Sequence, residues 1–301
     1  GHLFIFNEGF SEPSIEFPPS DGPINQICCD NTSTFIFAVT EAGSLWRYNI
    51  STLSTLKVFT TPSTSLLTIE SSLSNSYIAI GSTDGDLSLF KSEDIKDPIE
   101  KSDKRDFTNE SSIKTVKAHS DTITGISFRN DGLQLITCSY DSIVRVWGTD
   151  LICTQSFSFN LPLVSVCYQS SGKMFYICCS DNTFKLISFA GNVKKNNSID
   201  IRNSFIIGCT NMYSNADSIP NIAIGLSAGV IIIYAQKITL AGEFQSVINV
   251  QKTPFYAFDA HPSSNIIASG GGPNEMNLKL WKVPDENDNS IGNQERNRNE
   301  N

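Results

Sequence analysis

Few side chains in this 301-residue chain have the reach for chemistry. They are three histidines, His2, His119 and His261, and eight cysteines. Catalysis needs a nucleophile, a base and an oxyanion donor converging on one point. The chain has no G-x-S-x-G elbow, no phosphate-binding P-loop and no H-E-x-x-H zinc helix. The run Gly270-Gly271-Gly272 is followed by Pro273 rather than a helix, so it reads as a widened turn and not a phosphate cradle. The carboxylates sit singly in turns rather than in acid/base pairs. Cys28, Cys29, Cys138, Cys153, Cys167, Cys178, Cys179 and Cys209 make no C-x-x-C pair, which argues against a zinc site. All but Cys153 fall in apolar runs, as buried free thiols of a reducing compartment do. The expectation is a protein that is not an enzyme and has no cofactor, no metal and no small-molecule substrate.

The elements that would position these residues repeat along the chain. A tight polar turn is followed by alternating apolar residues ending in a large side chain: GHLFIF to Phe6, GSLWRY to Tyr48, GDLSLF to Phe90 and SIVRVW to Trp147. NTFKLI to Ile187, GVIIIY to Tyr234 and MNLKLW to Trp281 continue the series. Strict alternation over six residues is a strand signal. Two further apolar runs precede most of these strands, as ITGISF (123–128) and LQLITCS (133–139) precede Trp147. Several strands per unit at a period near 40–45 residues predict an all-β β-propeller. Seven terminal strands predict seven blades within residues 1–283, the first incomplete. On that count roughly 25–40 or more residues are expected upstream of Gly1. A six-bladed ring closed by GHLFIF is the alternative, and it leaves SIEF (14–17) unused.

Two segments depart from the pattern. Residues 91–118 mix basic and acidic side chains with little apolar periodicity and are expected to form a flexible insertion. Residues 284–301 are expected to be a disordered polar tail.

The stretch KAHSDTITGISFRNDGLQLITCSYDSIVRVWGTD (117–150) resembles a WD40 repeat. That family's motif is a histidine before the first strand, an aspartate in a tight turn and a closing tryptophan, here His119, Asp141 and Trp147, with Ser139 as a candidate fourth member. The resemblance implies that these side chains form a hydrogen-bond network pinning the blade, a structural rather than a catalytic role for His119. A buried indole or imidazole N–H does require an acceptor. Elsewhere the turn aspartate persists as Asp84 and Asp181 but becomes Ala42 and Ala228, so those blades are expected to rely on packing. His119 and His261 are both assigned to repeat positions.

A net charge of −9 argues against binding to nucleic-acid phosphates or anionic membranes, and no apolar run reaches transmembrane length. The family resemblance implies a non-catalytic protein–protein interaction scaffold, an intracellular WD40-repeat subunit of a multiprotein complex. Other proteins or peptides would bind its top face through Tyr140, Thr122, Thr124, Thr83 and Ser180. An exposed Tyr140 would supply both area and a hydroxyl. Two alternatives stand beside this. One is the C-terminal propeller of a larger scaffold protein. The other is a peptide-binding subunit of a chromatin-modifying complex. HSD (119–121), SYD (139–141), DNTFKL (181–186) and HPSSNIIAS (261–269) are similar to the WD-repeat subunit of histone-methyltransferase complexes. That subunit holds an arginine between aromatic side chains, and Phe205 or Tyr213 would stand opposite Tyr140.

Overall fold

Short alternating runs between Gly, Asn, Asp and Ser turns leave strands of about six residues and no α-helix among the described residues. The computed structural model describes residues 1–7, 13–61, 63–72, 74, 76–95, 113–199, 201, 204–212, 221–235, 244–249, 255–261, 263–271 and 278–282. The chain divides into two compact units, Gly1–Asp200 and Ile201–Asn301.

The first unit opens with a two-stranded pair, β1 (Phe4–Ile5) and β2 (Ile15–Glu16). Four antiparallel four-stranded meanders follow. They are β3 (Ile24–Cys29), β4 (Phe35–Thr40), β5 (Ser44–Asn49) and β6 (Thr55–Thr60), then β7 (Leu66–Ser71), β8 (Tyr77–Ser82), β9 (Asp86–Lys91) and β10 (Lys114–Lys117). The third comprises β11 (Ile123–Phe128), β12 (Gln134–Ser139), β13 (Ile143–Gly148) and β14 (Cys153–Ser158). The fourth comprises β15 (Leu163–Tyr168), β16 (Met174–Cys179), β17 (Thr183–Ser188) and β18 (Val193–Ser198). The second unit holds β19 (Ile206–Asn211), β20 (Asn221–Leu226), β21 (Val230–Ala235) and β22 (Phe244–Asn249). Its last sheet is the three-stranded set β23 (Phe255–Ala260), β24 (Ile266–Gly271) and β25 (Leu278–Lys282). This succession of meanders is the arrangement of a β-propeller.

Core packing runs between successive blades. Phe37, Leu45, Ile69 and Ile80 fill the space between the first and second. Val146, Val166, Tyr168 and Phe175 do the same between the third and fourth. In the second unit Ile231, Ile233 and Ile267 are buried with Phe258 against them. Each such side chain contributes roughly 1.5–3 kcal/mol through removal from water.

Every blade's first strand carries a bulge at its second residue, as between Ile24 and Gln26 or Ile123 and Gly125. A bulge re-aims the extra side chain. Asn25 Nδ2 thereby donates to the Leu66 carbonyl of the next blade at 2.7 Å, and Thr124 Oγ1 to that of Leu163 at 2.7 Å.

Six blades are seen among the described residues where the terminal strands predict seven. The difference lies at GHLFIF, which contributes two residues paired to SIEF, a ladder too short to count as a blade. SIEF is therefore not a leftover. It is the partner of GHLFIF, and Phe17 and Leu3 bury against Ile36, Ala38 and Tyr48.

The insertion is also shorter than its sequence suggests. Lys91 closes β9, Ser92–Asp94 forms one 3-10 turn, and Ile95 is buried. The buried guanidinium of Arg47 donates to the Ile95 carbonyl and lies 4.6 Å from the Phe35 ring. Lys114–Lys117 then pairs with β9 as the outer strand, because Val116 alternates inward between exposed neighbours. Residues 96–112 of the expected flexible insertion, and the tail at 284–301, lie outside the described residues.

Candidate functional site

The third blade positions the histidine, the aspartate and the tryptophan from three places. His119 precedes β11, Asp141 sits in the turn between β12 and β13, and Trp147 lies near the end of β13. All three are almost completely buried, and the residue that joins them is Thr137 in β12. Trp147 Nε1–H donates to Thr137 Oγ1 at 3.0 Å, and Thr137 Oγ1 lies 2.7 Å from His119 Nε2. His119 Nδ1 is 2.9 and 3.1 Å from the two carboxylate oxygens of Asp141.

One assignment of protons satisfies the indole, the threonine, the imidazole and the carboxylate, and Arg145 Nη1, 2.8 Å from the same Nδ1, then donates to Asp141 Oδ2 at 3.3 Å. The indole N–H donates to the threonine oxygen, and the threonine O–H donates to Nε2 of a neutral imidazole. Nδ1–H then donates to the carboxylate. Burial lowers the pKa of His119 despite the opposing charge of Asp141, which favours the neutral ring this chain requires. Burial would raise the pKa of Asp141. The His119 contact and the Ser120 and Ile143 backbone N–H groups outweigh it and hold the carboxyl below its ordinary value.

Ser139 lies outside this chain of donors. Its hydroxyl donates to the Asp121 carbonyl at 3.0 Å and accepts the Asp141 N–H at 3.0 Å. The imidazole Nε2 thus faces a buried threonine and not a solvent-facing nucleophile. This arrangement can hold a turn in place. It offers a substrate no approach to the histidine.

The turns between second and third strands share one face of the first unit. Hydrogen bonds between blades tie that face together: Thr122 Oγ1 donates to the Thr83 carbonyl at 2.9 Å, and Thr83 Oγ1 to that of Ser65 at 3.3 Å. The hydroxyls of Thr122, Thr124 and Thr83 are therefore spent on neighbouring backbone, and all three residues are only half-buried. Ser180 and Tyr140 are exposed, Tyr140 at 47%. Exposed carboxylates stand in the turns of this face, Glu41, Asp84, Asp121 and Asp181.

Residues 110–148 match the family model described as WD domain, G-beta repeat. That segment is a WD40 repeat, and the succession of antiparallel sheets supports a WD40-type propeller. No match is found among the curated proteins. The matched residues contain His119, Thr137, Asp141 and Trp147, so the matched segment and the buried network coincide. WD40 propellers are generally non-catalytic and generally bind other proteins.

Two other blades keep parts of the WD40 network in altered form. In the first, with Ala42 in the turn, polar pinning was not expected. Asp21, in the turn leading into β3, supplies it. Its carboxylate accepts from Trp46 Nε1 at 3.0 Å and Ser44 Oγ at 2.6 Å, and pairs with Lys57 Nζ at 2.6 Å. Burial would raise its pKa, yet the hydrogen bonds from Lys57, Ser44 and Trp46 hold it far below the usual carboxylate range. Packing alone does not hold this blade, because an acid from the other side of the turn replaces the missing aspartate. In the sixth blade Trp281 Nε1 donates to Ser269 Oγ at 3.0 Å, the counterpart of Trp147 and Thr137.

His261 follows β23, and its Nδ1 accepts the Ser263 N–H at 3.1 Å, so it caps the turn to β24 and does not share the station of His119. His2 lies exposed, 3.3 Å from Glu16.

Two exposed aromatics of the second unit occupy the same stations as Thr122 and Thr124. Phe205 immediately precedes β19, and Tyr256 is the bulged second residue of β23. They are 60% and 65% exposed. The register of the repeat, carried to 255–260, was the signal that could have found Tyr256. Tyr213 lies outside the described residues. Among the described residues no helix is long and apolar enough to cross a membrane.

Proposed function

We propose that this WD40 protein is an interaction scaffold within a multiprotein complex, and that the turn face carrying Tyr140 takes up a peptide or domain of a partner protein. The observation that carries the reading is the contrast within one turn. The Asp141 side chain is buried and fixed by four donors, while its neighbour Tyr140 is held out to solvent on that rigid support. A large, amphipathic side chain on a preorganised turn binds at low entropic cost. The carboxylates at Glu41, Asp84, Asp121 and Asp181 favour a partner segment rich in Lys and Arg, and disfavour nucleic acid. Ser180 extends the surface, whereas Thr122, Thr124 and Thr83 act by keeping the turns in register. The eight cysteines form no disulfide, which supports an intracellular setting.

Affinity capture from native lysate tests this, with the wild type beside Tyr140→Ala and mass spectrometry as the readout. Fixed partners that are retained by the wild type and lost by the variant support the reading. A wild type that comes down alone at gentle salt overturns it, and partners held equally by the variant move the binding surface elsewhere.

A further inference from the structure

We draw no further inference here: the strongest candidate, the outer edge of the last sheet at β25 with Leu278 and Leu280 about half exposed, carries nothing because nothing among the described residues shows what covers it.

Discussion

Replacing Thr137 with Val tests the buried network most directly. Valine keeps the β-branched shape and the strand preference while removing one hydroxyl. That hydroxyl has no exposure to water, accepts from Trp147 Nε1 and stands 2.7 Å from His119 Nε2. The variant leaves a buried indole N–H without its acceptor and a buried imidazole nitrogen without its donor. Each orphaned group costs about 1–3 kcal/mol, so the expected loss is about 3 kcal/mol. At roughly 2 °C per kcal/mol for a large domain, Tm falls by about 6 °C. Urea titrations of both proteins measure the loss as a shift in midpoint at unchanged slope. The cycle completed with Trp147→Phe isolates the pair. Phenylalanine has no N–H to orphan, so Thr137→Val costs less in that background by about 1 kcal/mol or more. A loss under about 0.5 kcal/mol with additive single variants would refute the reasoning, because it would mean that water or relaxation satisfies both groups.

Four further outcomes follow from the same geometry. The depressed pKa of His119 means that the unfolded chain binds a proton before the native one does. Stability is therefore full above about pH 6.5 and declines as pH falls through the folded value, and His119→Gln should flatten that part of a Tm-against-pH curve. Asp21 is depressed below its ordinary 3.8, so its contribution is present above that pH and lost in stronger acid. Wild type and Asp21→Asn should differ in urea midpoint at pH 7 and converge as the medium becomes strongly acidic. Ser142 holds a left-handed φ of 66° at the station where three other turns have Gly43, Gly85 and Gly229 and a fourth has Asn182, so Ser142→Gly should raise stability by about 0.5–1 kcal/mol. Gly85→Ala should do the opposite by more than about 2 kcal/mol, since a Cβ there would lie 2.3 Å from the His119 carbonyl oxygen. Calorimetry reads both changes.

The alternating runs and their spacing determined the strands, because a two-residue period is a local property that each segment carries alone. The third blade's pinning residues His119, Asp141 and Trp147 were legible through the resemblance of 117–150 to a WD40 repeat, not through periodicity. Thr137 was hidden because a threonine in an apolar strand looks like any β-branched residue. Only the packed sheet turns it toward both rings. Asp21 was hidden for a related reason. It lies outside the position the repeat reserves for an acid, and folding alone brings it against Trp46, Ser44 and Lys57. The blade count and the extent of the 91–118 insertion were likewise tertiary matters. Whether the two residues Phe4–Ile5 or the four residues Lys114–Lys117 become strands depends on the edge they find, and a sequence does not print its edges. What the residues alone fixed was the repeat, whose periodicity is local. What the tertiary structure decided was the partner of each buried polar group, because a buried donor must find an acceptor from a distant part of the chain.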